Sequence, residues 1–190
     1  MSWTCLRDRL LPALLLASLC LPVLSANAPK RIYKQWLDQD VRWIITDQER
    51  AEFENLSSDE QRDQFIEAFW ARRDPIPSTP KNEFKEEHYR RIAFANVHFA
   101  GGGVPGWETD RGRIYVVYGP PYEIESHFCP ATREKPRQAT EVAGCSYPYQ
   151  IWHYRRAQGV GHDVSVKFVD ICRCGDYRRE IDPSEKHELP

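Results

Sequence analysis

Apolar positions along this chain follow three different patterns, and each predicts a different kind of segment. From Leu10 to Leu21 leucine and alanine dominate without a single charge, behind a start that carries Arg7, Asp8 and Arg9. A basic start followed by an apolar stretch of about 12 residues has the form of a secretion leader and is too short to span a bilayer. Between Trp36 and Phe99 the spacing becomes helical. Trp36, Leu37, Val41, Ile44 and Ile45 predict a short helix that ends near Thr46. Thr46-Asp47-Gln48-Glu49 reads as a capping box, in which the hydroxyl and the carboxylate satisfy amides that a first helical turn leaves free, so a second helix starts there. Ser57-Ser58-Asp59-Glu60 repeats the device ahead of a third helix, whose Phe65, Ile66, Phe69 and Trp70 form a stripe that must be buried. Pro75, Pro77 and Pro80 stop that helix. Thr79-Pro80 predicts the N-cap and first turn of a fourth, with Phe84, His88, Ile92, Ala95 and Phe99 on one side and Gly101-Gly102-Gly103 at its end.

Beyond Arg113 the period falls to two. Ile114-Tyr115-Val116-Val117-Tyr118 is β-branched and aromatic and stops at Gly119-Pro120-Pro121, which predicts a strand. Ile151–Tyr154 and Val164–Val169 predict two more, joined as a hairpin through the Gly159–Asp163 turn, and residues 129–146 predict a long polar loop. Helices first and strands afterwards predict an α+β domain, with N-terminal helices packed on a small antiparallel β-sheet built from the C-terminal half. This layering takes 114–118 as its first strand.

Small residues at Val23-Leu24-Ser25 and Ala26-Asn27-Ala28 offer cleavage sites, and Pro29 disfavours a cut after Ala28, so residues 1–25 are expected to leave as a signal peptide after Ser25 or Ala26. Leu19 before Cys20 is too bulky for a lipoprotein signal. The mature chain is then one domain over 30–182 with a flexible tail over 183–190, and its size suits a single core. Loss of Arg7, Asp8 and Arg9 takes the net charge from −2 to −3. Such a mild imbalance gives no field for nucleic acid or an anionic membrane, and no second apolar run in the mature chain reaches the length of a span. Trp36, Trp43, Trp70, Trp107 and Trp152 promise an aromatic-rich core.

Gly106-Trp107-Glu108-Thr109-Asp110-Arg111-Gly112-Arg113-Ile114-Tyr115 resembles the motif that names the GWxTD domain family of bacterial proteins. In the same order as that family's pattern come Phe69-Trp70 with Arg73-Asp74-Pro75, Asn82-Glu83-Phe84, Tyr89-Arg90-Arg91, Tyr118-Gly119-Pro120, Tyr149-Gln150-Ile151-Trp152 and Gly175-Asp176-Tyr177-Arg178. The resemblance spans roughly residues 32–180 and implies no activity, cofactor or catalytic residue. The chain departs from the pattern at Ile171-Cys172-Arg173-Cys174 and in carrying Cys129 and Cys145.

Two readings of the motif segment stand side by side. In one, Trp107 fills the core, Thr109 and Asp110 hold turn amides, and Arg111 or Arg113 pairs with a carboxylate. In the other, Asp110, Arg111 and Arg113 line a cleft for an anionic ligand, with His153 or His88 as an acid–base group. His88, on an apolar helical stripe, reads as a hydrogen-bonded core histidine rather than a metal ligand. Export makes disulfides the expected state of Cys129, Cys145, Cys172 and Cys174. A Cys129–Cys145 bridge inside the long loop is preferred, because Cys172–Cys174 would close a very small ring, and that second pair stays open. The spacing does not fit a zinc knuckle, and P-loop, nucleophile-elbow, dinucleotide and zinc-protease motifs are all missing, so neither a metal nor a cofactor is expected. Abundant tyrosine and tryptophan without a catalytic motif point to a secreted or periplasmic module that binds a protein or peptide of the cell envelope without catalysis. The alternative is a small anionic-ligand receptor or hydrolase using the GWETDRGR segment.

Overall fold

The computed structural model describes residues 28–129, 146–157 and 161–180. The expected leader, Cys20, Cys145, most of the long loop, Gly159, Val160 and the 183–190 tail lie outside them. Helix α1 covers Ala28–Gln35 and runs into a π-turn over Trp36–Asp40, so the first helical segment begins earlier than its apolar spacing predicts. Helices α2 (Asp47–Glu54), α3 (Asp59–Ala71) and α4 (Glu83–His98) follow, then a 3-10 turn at Gly106–Glu108 and helix α5 (Asp110–Tyr118). Strands β1 (Glu123–His127), β2 (Tyr149–Ala157), β3 (Gly161–Val169) and β4 (Arg178–Arg179) form one antiparallel sheet in that order.

The capping chemistry is present where polar residues precede apolar stripes. Thr46 accepts from the Glu49 amide while the Glu49 side chain returns to the Thr46 amide. The second box sits one residue later than predicted, with Ser58 as N-cap and Gln61 as the returning side chain. Helix α4 is capped by Asn82 and not by Thr79-Pro80. Asn82 Oδ1 accepts from the Lys85 amide at 2.8 Å, and its Nδ2 donates to the Trp70 carbonyl at 2.7 Å, tying the start of α4 to the end of α3. Thr79 instead donates within its turn, 2.6 Å from the Glu83 carboxylate.

The predicted strand at 114–118 is helix α5. Ile114, Tyr115 and Val116 are consecutive buried residues, because α5 lies between α4 and the sheet and has almost no solvent side. A short apolar run bounded by turn residues fits a strand and a buried helix equally well, and here Thr109 decides between them by capping the helix through the Gly112 amide at 3.1 Å. The α+β order survives because β1, a polar strand that alternation did not reveal, enters directly after the Gly119-Pro120-Pro121 break. The predicted hairpin of β2 and β3 forms with longer strands, Gly161, His162 and Asp163 lying in β3 instead of turning, and it alternates: Trp152, Tyr154, Val166 and Phe168 point into the core while Ser165 faces out.

Three clusters result: Trp36, Leu37, Val41, Phe53, Phe69 and Trp70 join the π-turn to α2 and α3, Ile114, Tyr115, Trp152, Tyr154, Val166 and Phe168 join α5 to the sheet, and Ala95, Trp107 and Val116 join α4 to α5. His88 is buried beside the first, with Nε2 donating to the Asp40 carbonyl at 2.6 Å, and burial lowers its pKa, which keeps it neutral. It is the core histidine expected of that stripe.

Glu49 clamps α2 to α3. Its carboxylate meets Arg73 at 2.7 Å and Arg72 at 3.0 Å, and Arg73 also lies 3.6 Å over the Phe69 ring. Burial pushes the Glu49 carboxyl up, but the hydrogen bonds from Arg73, the Thr46 amide and Arg72 outweigh it and hold the pKa at about 2, against an ordinary 4.5. Its folded pKa lies below its unfolded one, so its stabilisation is complete above pH 4.5 and disappears as pH falls toward 2. Glu49→Gln is expected to lower stability by about 2 kcal/mol at neutral pH, the range of charge-assisted hydrogen bonds, and by much less at pH 3. Urea unfolding of both proteins at the two pH values checks this, and an equal deficit in both would remove the carboxylate from that role.

Candidate functional site

The GWETDRGR segment turns the chain from α4 into α5, and each of its signature residues has a structural partner. Gly106 lies so close to α4 that a Cβ there would overlap the Ala95 carbonyl and the Asn96 Cα, and a Cβ on Gly112 would overlap the Gly106 carbonyl. Trp107 packs with Ala95 and Val116, its amide donates to Asn96 Oδ1 at 3.1 Å, and its carbonyl accepts from the Trp43 indole at 3.0 Å. Thr109 is buried, donates to the Gly106 carbonyl at 2.8 Å and caps α5. Asp110 reaches across to β4 and accepts from the Arg179 amide at 2.8 Å.

Neither Arg111 nor Arg113 pairs with a carboxylate among the described residues. Arg111 sits 4.2 Å over Tyr177 and 5.2 Å over Phe99 and donates to the Gly175 carbonyl at 3.1 Å, while Arg113 lies 4.6 Å over Trp43. Burial lowers the pKa of both guanidinium groups, and aromatic faces stand where one of the two readings placed a carboxylate against Arg111 or Arg113. A shallow apolar cleft lined by Tyr33, Leu37, Phe53 and Arg62 lies among the N-terminal helices, and no signature residue lines it.

The other segments that match the family pattern are used in the same way. Arg91 donates to the Val116 and Val117 carbonyls at 3.3 and 3.2 Å, closing the end of α5, and Gly119 follows at φ +81°, a conformation that glycine adopts without strain. Tyr89 donates to Asp40 at 3.1 Å. A signature made of close approaches, caps and carbonyl anchors describes a scaffold. The family model for the GWxTD domain matches residues 16–131, more than half of the chain. The chain belongs to the GWxTD domain family. No curated protein and no solved structure matches it. Among the described residues of this GWxTD protein, no helix is long and apolar enough to cross a membrane.

Two further clusters lie outside the motif. On the open face of the sheet, His153 Nδ1 is 2.8 Å from Ser165 Oγ and its Nε2 is 2.8 Å from the Glu125 carboxylate, so a serine, a histidine and a glutamate line up across β3, β2 and β1. These residues come from three strands with Glu125 and Ser165 exposed, and the line reads as a cross-strand hydrogen-bond tie rather than a nucleophile set in a cleft. The second cluster follows β3. Cys172 and Cys174 are joined by a disulfide, which settles the pair that the sequence reading left open. Small rings of this kind form when the intervening backbone is turned, and Arg173 stands at φ +56°. Cys129 is fully buried, and Cys145, its expected partner, lies outside the described residues.

Proposed function

We propose that this GWxTD protein is exported and acts as a non-catalytic docking module, whose free sheet edge receives an extended segment of a partner protein in the cell envelope or outside it. Export is supported by the basic and apolar start of the chain. Docking is supported by one observation above the rest: among the described residues β1 ends the strand order, with Ile124 at 48% and Phe128 at 87% exposure on or next to it. An end strand presents a row of unpaired backbone groups, and an added strand satisfies them while side-chain pockets select its sequence. Glu123 and Glu125 flank Ile124, so the complementary segment alternates apolar with basic residues. The anionic-ligand reading is less well supported, since Arg111 and Arg113 are stacked on rings and Asp110 is engaged by β4.

A random peptide display library panned on the mature chain should enrich sequences of that alternating kind. Titrating one such peptide should shift the amide NMR signals of residues 123–127. The double variant Ile124→Ser/Phe128→Ser should keep its far-UV circular dichroism and lose the binding. Enriched peptides that bind the double variant equally well, or shifts confined to another face, would sink the docking reading.

A further inference from the structure

We propose that Cys172 and Cys174 form a thiol–disulfide exchange site that oxidises dithiols, with Asp170 carrying the proton for Cys172. The proposal stands independently of docking at β1.

Both cysteines are exposed, whereas Asp170 beside them is only 5% exposed. A carboxylate oxygen of Asp170 and the two sulfurs lie within 4.8 Å of one another, and Asp170 Oδ1 is 3.2 Å from Cys172 Sγ. A bridge with one residue between its cysteines constrains the unfolded chain very little, so it is a poor structural staple. The turn is held by other means. Asp170 accepts from the Cys174 amide at 3.1 Å and from the Gly175 amide at 2.9 Å, and its own carbonyl accepts from the Arg173 amide at 3.2 Å. Arg173 donates to the Cys129 and Ser146 carbonyls at 2.9 and 2.8 Å. Opening the disulfide therefore leaves the loop in place, as a reversible redox centre requires. Ile171 and Tyr147, each next in sequence to a residue of this network, are exposed apolar groups that suit an unfolded or extended cysteine-bearing polypeptide.

The chemistry balances without a further reagent. A substrate thiol loses its proton to water, and the thiolate attacks Cys174 Sγ. The Cys172–Cys174 bond breaks, a mixed disulfide forms, and the Cys172 sulfur leaves as a thiolate that takes a proton from water through Asp170. The second substrate thiolate then attacks the substrate sulfur of the mixed disulfide, and Cys174 leaves and is protonated. Two electrons and two protons pass from the substrate dithiol to the cysteine pair, which ends as two thiols.

The test mixes the oxidised mature chain with an equimolar synthetic peptide bearing two cysteines, quenches by alkylation and reads masses. Peptide disulfide should appear as Cys172 and Cys174 become alkylatable, with circular dichroism unchanged. Cys172→Ser/Cys174→Ser should melt as the parent does and lose the reaction. Asp170→Asn should move the pH profile of the exchange rate. Should that variant not fold, the parent's own profile serves, because it should differ from that of oxidised β-mercaptoethanol with the same peptide. A pair that resists alkylation until the protein unfolds, or a double variant that oxidises the peptide as fast, would overturn the exchange site. A pH profile matching the small disulfide would overturn the role of Asp170.

Discussion

Gly106→Ala should leave the domain largely unfolded at room temperature, and Gly112→Ala should do nearly the same. The added methyl at 106 would overlap the backbone of Ala95 and Asn96, and the one at 112 would overlap the backbone of Gly106. A side chain in the way can change rotamer, but a helix backbone can yield only by separating α4 from α5. Ordinary overpacking costs about 1–3 kcal/mol, and a backbone collision at the junction of two buried helices should exceed about 4 kcal/mol. That is a large share of the roughly 5–15 kcal/mol by which a domain of this kind is stable. Gly101→Ala is the matched control, since nothing lies within 4 Å of its Cβ position, and it should change stability by no more than about 0.5 kcal/mol. Thermal melts of the three variants decide the matter. A Gly106→Ala protein melting with the parent would mean that the close approach of the turn to α4 is not what the glycine is for.

Trp152→Ala should be the most costly side-chain truncation in the sheet. Trp152 is 1% exposed, and its ring lies 4.9 Å from Phe168, 5.4 Å from Phe99 and 6.5 Å from Tyr115, so one side chain touches β3, the end of α4 and α5. Removing a buried aromatic leaves both a lost transfer free energy and a cavity, together about 3–5 kcal/mol. The N-terminal helices pack around a separate cluster centred on Trp36 and Phe69, so the damage should be local at first. Amide exchange should rise in β2 and β3 before it rises in α3, and Trp152→Phe should restore most of the loss. A uniform rise across α3 and the sheet would show that the two clusters unfold as one.

These two positions also mark what could and could not be read ahead of the fold. Trp152 was legible, because Ile151–Tyr154 and Val164–Val169 alternate and only one register buries the large residues together. The caps at Thr46 and Ser58 were legible to within a residue, since they depend on contacts three positions apart. The cap of α4 was not. Asn82 gains its place from the Trp70 carbonyl, twelve positions away, and local chemistry favoured Thr79-Pro80 just as well.

The candidate sites divide along the same line. The motif was recognisable letter by letter, yet the meaning of its glycines lay in the backbone of α4 and the meaning of its arginines in Trp43, Phe99 and Tyr177. The polar strand Glu123–His127 gave no signal, because an end strand need bury neither face, and with it the alignment of Glu125, His153 and Ser165 stayed hidden. The Cys172–Cys174 pair was visible, but Asp170, between Val169 and Ile171, gave no sign that its buried carboxylate lies 3.2 Å from Cys172 Sγ.

By itself, then, the order of residues determined the α+β class, the helices of the first half, the hairpin of the second and membership of the GWxTD domain family, because periodicity and short-range hydrogen bonds are encoded within a few positions. Only the tertiary structure decided that Ile114–Tyr118 is a helix, that a polar segment is the end strand of the described sheet, and where each arginine of the motif points. Those outcomes depend on which surfaces meet at long range, and an apolar run buried on all sides carries no periodic mark of the element it will form.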